Sequence, residues 1–164
     1  QLMIALPFAL MSGVVFYHKW LMLALFILIW VNDSGAYIVG SLMSKRKGGN
    51  HKMFPRVSPA KSWEGLIGGF VFDLIAGYVF FRVGWTASLG LTAYPLLDSL
   101  LVALVVGVFG TLGDLMESLM KRTVGVKDSG RFMPGHGGVL DRFDSLLLAV
   151  PVVYFLFVYL PTIL

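Results

Sequence analysis

The sequence predicts an all-α fold, a polytopic membrane bundle of about five transmembrane helices with a polar site at the cytosolic border. Hydrophobic residues make up 57% of the chain, and the mean hydropathy is +0.82. Charged residues make up only 13%, about half of the roughly 25% that is usual in soluble domains. A soluble domain of this size could not cover its surface with so few charges, so we expect the chain to lie in lipid.

Continuous apolar runs mark the predicted spans. A helix needs roughly 20 residues to cross the bilayer, and five runs come near that length. In chain order they are Leu2 to Tyr17, Trp20 to Met43, Gly65 to Phe81, Pro95 to Met120 and Ser145 to Leu164. The second and third runs contain one acid each, Asp33 and Asp73. A lone acid inside the membrane costs free energy. Runs that are uniformly apolar, rather than alternating, favour helices over a β-barrel.

Basic residues are concentrated in two of the links between these runs. Links 44–62 and 121–144 hold eleven of the thirteen Lys and Arg residues. The positive-inside rule puts both links in the cytosol. We therefore expect an integral protein of a bacterial inner (cytoplasmic) membrane, with the charged site facing the cytosol.

Several function classes are excluded or disfavoured by what the sequence lacks. The chain contains no cysteine, which excludes disulfides, thiol nucleophiles and Cys-ligated zinc. It contains no P-loop, dinucleotide fingerprint or nucleophile elbow. No basic stretch precedes the first apolar run, so a signal peptide is not expected.

The fourth predicted helix carries a polar stripe. Its members, at intervals of four, three, four and three, are Gly107, Thr111, Asp114, Ser118 and Lys121. This spacing keeps them on one helix face. About 20 residues of helix cover the roughly 30 Å of the bilayer core, so Asp114 and Glu117 should lie at its cytosolic border. A frayed helix end with ordinary interfacial charges is the alternative.

Two further acids, Asp141 and Asp144, stand at the start of the last predicted helix. Carboxylates there gain about 0.3–1 kcal/mol from the helix dipole, which explains Asp144 alone but not its clustering with Asp141 and Arg142. Paired carboxylates without cysteine suit a hard cation such as Mg²⁺. With Asp114 from the preceding helix, three carboxylates could hold one or two metals.

Between these helices lies a glycine-rich, basic connection. Glycines at 135, 137 and 138 free the backbone to turn N–H groups toward an anion. The basic residues around them would neutralise phosphate oxygens; they are Lys121, Arg122, Lys127 and Arg131. A plain turn and an anchor to anionic lipid are the alternatives. Together with the carboxylates, the connection indicates a metal–phosphate site.

Four motifs follow one another here: Ser118-x-x-Lys121-Arg122, Lys127-Asp128, Pro134-x-His136-Gly137-Gly138 and Asp141-Arg142-x-Asp144. In spacing and residue type they resemble the pattern of the phosphatidate cytidylyltransferases, also called CDP-diacylglycerol synthases. Met133 is the one departure, because the family usually has Leu, Ile or Phe there, and Met is a mild apolar substitute.

Upstream segments are similar to other motifs of that family: Asp33-Ser34-Gly35-Ala36-Tyr37, Ser58-Pro59-Ala60-Lys61-Ser62-Trp63-Glu64-Gly65 and Gly113-Asp114-Leu115-x-Glu117-Ser118. The resemblance therefore reaches from the second to the fifth predicted helix. Members of the family usually have additional amino-terminal helices. We expect residues 1–164 to form a single transmembrane catalytic domain, the carboxy-terminal portion of a longer protein.

The resemblance implies that CTP and phosphatidate react to give CDP-diacylglycerol and pyrophosphate, with Mg²⁺ and a possible second cation. The catalytic residues it implies are Asp114, Lys121, Arg122, Lys127, Asp141 and Asp144, of which the three acids would bind metal. The substrate-binding residues it implies are Asp33, Ser58, Lys61, Ser118, Arg131, His136, Gly137 and Gly138. Expected partners are CTP, phosphatidate and membrane lipids, with no nucleic acid; homo-oligomerisation is left open.

Two alternatives from other classes remain open. A CTP-dependent polyprenol or lipid kinase would use similar groups on a different acceptor. A transporter would place acids deep in several spans, whereas here only Asp33 and Asp73 lie deep. A CDP-alcohol phosphatidyltransferase would require a denser Asp-rich motif on one helix, which the sequence lacks.

Overall fold

The computed structural model describes residues 2–46, 48–85, 91–92, 94–126, 129 and 140–163. Within these ranges the chain forms helices joined by loops and one small hairpin. The elements are α1 (Leu2–Tyr17), α2 (Leu21–Ser44), β1 (Lys52–Phe54), β2 (Ser58–Ser62), α3 (Trp63–Arg82), α4 (Pro95–Thr123), α5 (Leu140–Phe143) and α6 (Leu146–Ile163). The predicted helical membrane bundle is confirmed.

In the described part of the chain, α2, α3 and α4 are long and apolar enough to cross a membrane. The first and last helices contain shorter apolar stretches, Ile4–Phe16 and Leu146–Tyr159. Large apolar side chains cover the outside of the bundle, as lipid contact requires; Trp30 is 68% exposed and Ile67 is 62% exposed. Length and composition thus support three of the five predicted spans fully and the other two in part.

Helix α4 is the centre of the bundle, because it packs against α2, α3 and α6. Helix α1 completes the arrangement by packing against α2 and α6. The buried apolar side chains come from several helices; among them are Leu25, Leu28, Val106, Val150 and Phe157. The core therefore surrounds α4, and the polar face of α4 is held in a fixed position against its neighbours.

Glycine allows α2 and α3 to approach closely. A Cβ built on Gly68 of α3 would lie 2.5 Å from Cβ and Cγ2 of Val39 on α2. A Cβ on Gly65 would lie 2.9 Å from the backbone oxygen of Ala36. Small residues at such crossings are typical of helices that pack in membranes, where van der Waals contact contributes much of the association energy.

The link between α2 and α3 folds into a hairpin, which the sequence did not predict. Strands β1 and β2 are antiparallel, with Lys52 opposite Ser62 and Phe54 opposite Ser58. The turn between them is closed by a hydrogen bond of 3.1 Å from the Val57 N–H to the Phe54 oxygen. Pro55 occupies the second turn position, where its fixed φ is favourable.

Side chains at the base of the hairpin fix it to both helices. The Asn50 amide donates to the Gly40 oxygen of α2 at 2.7 Å. The His51 N–H donates to the Glu64 carboxylate of α3 at 3.1 Å. Ser62 caps α3 by accepting from the Gly65 N–H at 3.1 Å, a contact that satisfies one free donor of the first turn. The hairpin is therefore anchored at its base.

The last predicted helix is divided in the structure. Asp141 lies in the short α5, and a turn at Asp144 and Ser145 separates it from α6. The prediction that Asp141 and Asp144 share one helix start was therefore wrong. The carboxylate of Asp144 instead accepts from the Ser145 N–H at 2.6 Å.

We expect Gly68→Ala to destabilise the protein by about 1–3 kcal/mol, the usual range for overpacking. Val39 cannot move aside easily, because its branched side chain is stiff. Thermal unfolding of the detergent-solubilised variant would measure the loss. Gly110→Ala on α4 is the matched control, since its new Cβ would lie at an ordinary 3.7 Å from Ser145 Cβ. Equal stability of the two variants would contradict the packing described.

Candidate active site

A cavity of about 370 Å³ lies where the hairpin approaches α2, α3 and α4. Its wall combines charged and polar side chains with apolar surface; the polar members include Asn32, Asp33, Asn50, Lys52, Lys61 and Thr111. Helix α2 supplies the acid, the hairpin supplies the lysines, and α4 supplies the threonine. The cavity therefore lies where the first basic link meets the bundle.

An ion pair between Lys61 and Asp114 joins the hairpin to α4. The Lys61 Nζ lies 2.6 Å from Asp114 Oδ2 and donates to the Thr111 backbone oxygen at 3.4 Å. The two side chains are 24% and 29% exposed, so water does not fully screen the pair. The Ser118 hydroxyl donates to the other oxygen of Asp114 at 3.3 Å.

Asp144, in the α5–α6 turn, lies near this ion pair. A Cβ on Gly113 would lie 2.5 Å from the Asp144 backbone oxygen, so glycine is what lets the turn lie directly against α4. The pKa of Asp144 is raised to about 6, chiefly by burial and also by the negative charges of Asp114 and Asp33, while hydrogen bonds from Ser145 oppose the rise. Asp33 is in turn within electrostatic range of both Asp114 and Lys61.

We call the group of Asp33, Lys61, Asp114 and Asp144 the Lys61 cluster. It contains three acids and one lysine, so its formal charge is −2 when all four groups are ionised. Mutual repulsion among its acids is only partly relieved by that lysine. The cluster can therefore accept additional positive charge.

A second cluster lies further along α4. The Lys121 Nζ contacts the Glu117 carboxylate and lies 2.8 Å from Asp141 Oδ1. The Ser129 N–H also donates to Asp141, at 3.1 Å from Oδ2. We call Glu117, Lys121 and Asp141 the Lys121 cluster. Asp141 thus pairs with Lys121 and Ser129, whereas Asp144 interacts with Asp114.

The remaining predicted site residues are distributed as follows. Arg122 is exposed at the end of α4. Ser58 begins β2 and is not among the described residues that line the cavity. Five predicted residues, Lys127, Arg131, His136, Gly137 and Gly138, lie outside the described residues, and their roles stay predictions.

Asn32 on the cavity wall and Glu117 in the Lys121 cluster were not among the predicted site residues. Asn32 lines the cavity beside Asp33, and its position immediately before a membrane-embedded acid was the available signal. Glu117 is 1% exposed and contacts Lys121; its spacing of four residues from Lys121 indicated the contact.

The Lys61 cluster fits a divalent cation better than the Lys121 cluster does, because it holds three acids beside one lysine, whereas the Lys121 cluster holds two. Its donors are carboxylate oxygens, the ligands that Mg²⁺ prefers, and the Lys61 ammonium already provides a positive charge at Asp114. Among the described residues, no three acids or histidines converge closely enough to hold a metal without rearrangement. Asp114 and Asp144 are the residues that would bind the ion, and Lys61 would have to move aside.

We expect Asp114→Asn to lower the pKa of Asp144 from about 6, because it removes a negative charge from its surroundings. Because folding raises this pKa, the contribution of Asp144 to stability is largest at acid pH and declines as the pH rises through about 6. A ¹³C-carboxyl NMR titration would measure the pKa of Asp144 in the wild type and in Asp114→Asn. Glu64→Gln, which removes a carboxylate outside the cluster, should leave the titration unchanged; an unchanged pKa in Asp114→Asn would contradict the proximity of the two acids.

The sequence is similar to known proteins along most of its length. A sequence profile of the cytidylyltransferase family matches residues 2–160. The chain is 48% identical over 130 residues to a phosphatidate cytidylyltransferase of Bacillus subtilis, covering 79% of this chain and 44% of that protein. It is 46% identical over 134 residues to one of Staphylococcus haemolyticus, with 81% and 47% covered.

A phosphatidate cytidylyltransferase of Haemophilus influenzae is 47% identical over 139 residues, with 82% of this chain and 45% of that protein covered. The chain thus spans about half the length of the curated relatives it matches. The matched region contains both basic links and the helices that carry the two clusters. The chain belongs to the cytidylyltransferase family.

Proposed function

We propose that this protein transfers CMP from CTP to phosphatidate, forming CDP-diacylglycerol and releasing pyrophosphate. The observation that carries the proposal is the Lys61 cluster, in which acids from α2, α4 and the α5–α6 turn surround a lysine at the wall of a polar cavity. The names of the related proteins supply the reaction.

The nucleotide is proposed to occupy the polar cavity. Its volume of about 370 Å³ is at the lower end of the roughly 300–1,000 Å³ typical of small-molecule sites. Lys52 and Lys61 on its wall would neutralise phosphate oxygens. The phosphates would lie toward Asp114 and Asp144, and the nucleoside would fill the rest of the cavity.

The lipid is proposed to approach from the opposite side of α4. An apolar groove of about 240 Å³ is lined by residues of α1, α4, α5 and α6, among them Pro7, Met116, Met120, Leu140 and Leu147. Met116 and Met120 flank the helical turn that carries Glu117, and Leu140 precedes Asp141. An acyl chain in this groove would bring the lipid phosphate near Lys121.

The reaction requires little proton transfer. A phosphate oxygen of phosphatidate attacks the α-phosphorus of CTP, a new P–O bond forms, and the bond to the leaving pyrophosphate breaks. The nucleophile is already an anion, so no strong general base is needed. The protein contributes positioning and neutralisation of charge. Lys61, paired with Asp114, and Lys121, two turns further along α4, would provide that charge.

Mg²⁺ is the proposed cofactor, and a second cation is also proposed. When bound, Mg²⁺ would hold phosphate oxygens and stabilise the charge that develops on them. Asp114 and Asp144 would hold it. Lys61, displaced from Asp114, would then be free to bind a phosphate of the nucleotide.

The site is proposed to face the cytosol of the cell that makes the protein, where CTP is available. The hairpin and the end of α4 meet through Lys61 and Asp114, so the two basic links lie at the same end of the bundle. An excess of basic residues marks the cytosolic side of membrane proteins. In a bacterium this membrane would be the inner membrane.

Incubation of the purified protein with α-³²P-CTP and phosphatidate in detergent tests the reaction class. We expect Mg²⁺-dependent formation of a lipid that carries labelled CMP. Parallel reactions with γ-³²P-CTP and polyprenol would reveal a kinase instead, through a labelled polyprenyl phosphate. Label transfer to polyprenol alone, or to neither lipid, would contradict the proposal.

We expect Asp114→Asn to reduce kcat by more than 100-fold. Loss of a residue that only orients a metal ligand lowers activity or metal affinity roughly 10- to 100-fold. Asp114 is proposed to bind the metal itself, so its loss should cost more. Rates at saturating CTP and phosphatidate would measure the loss. Glu64→Gln is the control, because it makes the same acid-to-amide change outside the cluster. Near-normal turnover by folded Asp114→Asn would contradict the metal assignment.

A further inference from the structure

A buried polar pair lies where α2, α3 and α4 cross. The Asn32 Nδ2 of α2 donates to Asp73 Oδ2 of α3 at 2.5 Å. Asp73 is 1% exposed and Asn32 is 7% exposed. On α4, a Cβ built at Gly107 would collide with Asp73 Oδ2 and lie 3.1 Å from Asn32 Nδ2. Glycine at this position is therefore what leaves room for the pair.

The carboxylate determines which way the Asn32 amide points. The Asp73 oxygen that accepts this bond would repel another oxygen, so the amide turns its nitrogen toward it. Its oxygen then lies on the other side, where a Cβ on Gly69 would be 3.0 Å from Asn32 Oδ1. Without the acceptor on α3, the two amide orientations would differ much less in energy.

Only one member of the pair reaches the polar cavity. Asn32 lines it beside Asp33, whereas Asp73 is not among the described residues of its wall. By direct contact, Asp73 therefore reaches the cavity wall through Asn32. Its other oxygen, Oδ1, is buried and has no hydrogen-bond partner among the described residues. Such an oxygen is costly, and an acid within a span is costly as well, so packing alone does not account for Asp73.

We propose that Asp73 is a positioning residue that holds the Asn32 carboxamide with its oxygen toward the cavity, where it accepts a hydrogen bond from the bound nucleotide. The donor on the ligand is an amine or hydroxyl of the nucleoside, since phosphates have no donor when ionised. This inference rests on the proposed function, because it assumes that the nucleotide occupies the cavity.

Equilibrium binding of labelled CTP, measured beside turnover and thermal unfolding, tests the inference. Asp73→Leu removes the acceptor and should raise the Kd for CTP roughly 2- to 10-fold, the loss expected for one hydrogen bond. The KM for phosphatidate should not change, and the thermal midpoint should not fall. Asp73→Asn should bind CTP as the wild type does, since its amide oxygen can accept the same bond.

Coupling between the two residues provides a second measurement. If Asp73 acts only through Asn32, Asp73→Leu should raise the Kd no further in an Asn32→Ala background. Asn32→Ala alone should raise the Kd for CTP. This measurement still tests the inference if Asp73→Leu does not fold.

Each result has a definite meaning. Unchanged CTP affinity in Asp73→Leu or in Asn32→Ala, with normal wild-type turnover, would overturn this inference and leave the proposed function intact. A parallel change in CTP affinity, KM for phosphatidate and thermal midpoint would also overturn it, because it would indicate a purely structural role. Wild-type protein that neither binds nor turns over CTP would overturn both proposals.

Discussion

The ion pair between Lys61 and Asp114 is the contact on which the site depends. It is the connection that brings the hairpin onto α4, and residues of both contribute to the wall of the polar cavity. The pair is partly shielded from water, so its Coulomb attraction is screened less than in a fully exposed pair, and desolvation of the two charges offsets part of that gain. A cation that binds Asp114 would have to compete with the Lys61 ammonium.

Helix α4 separates two chemically different surfaces. The Lys61 cluster and the polar cavity lie on one side, and the apolar groove with Met116 and Met120 lies on another. A water-soluble nucleotide and a membrane lipid must meet in the proposed reaction. In that reaction, substrates with opposite solubility would approach α4 from different sides and react near its carboxy-terminal end. Glycines at 107 and 113 allow the neighbouring elements to come close enough for this.

Regular periodicity made much of the fold predictable. The apolar runs predicted α2, α3 and α4 to within about three residues at each end, since membrane helices are continuous and need little tertiary context. The spacing along α4 also placed Thr111 and Asp114 on the face that meets Lys61. The hairpin was missed because its strands have three and five residues, and β2 contains a proline that is unusual in a strand.

The grouping of the acids required the structure. Asp141 and Asp144 are three residues apart, which predicted one shared site if a helix ran through both. The turn at Asp144 and Ser145 breaks that helix, so Asp141 pairs with Lys121 while Asp144 approaches Asp114. Local sequence does not reveal such a turn. In the structure the turn packs directly against Gly113 of α4, a residue far from it in sequence. Contacts between residues far apart in sequence, such as Lys61 with Asp114, are equally invisible to periodicity.

Metal-directed cleavage tests most directly whether the Lys61 cluster is the cation site. Fe²⁺ loaded in place of Mg²⁺, with ascorbate and peroxide, generates hydroxyl radicals that cut the backbone near the bound ion. We predict fragments that end near Asp33, Asp114 and Asp144, and their suppression by excess Mg²⁺. Cleavage confined to the surroundings of Lys121 and Asp141, or cleavage that excess Mg²⁺ does not suppress, would contradict the account.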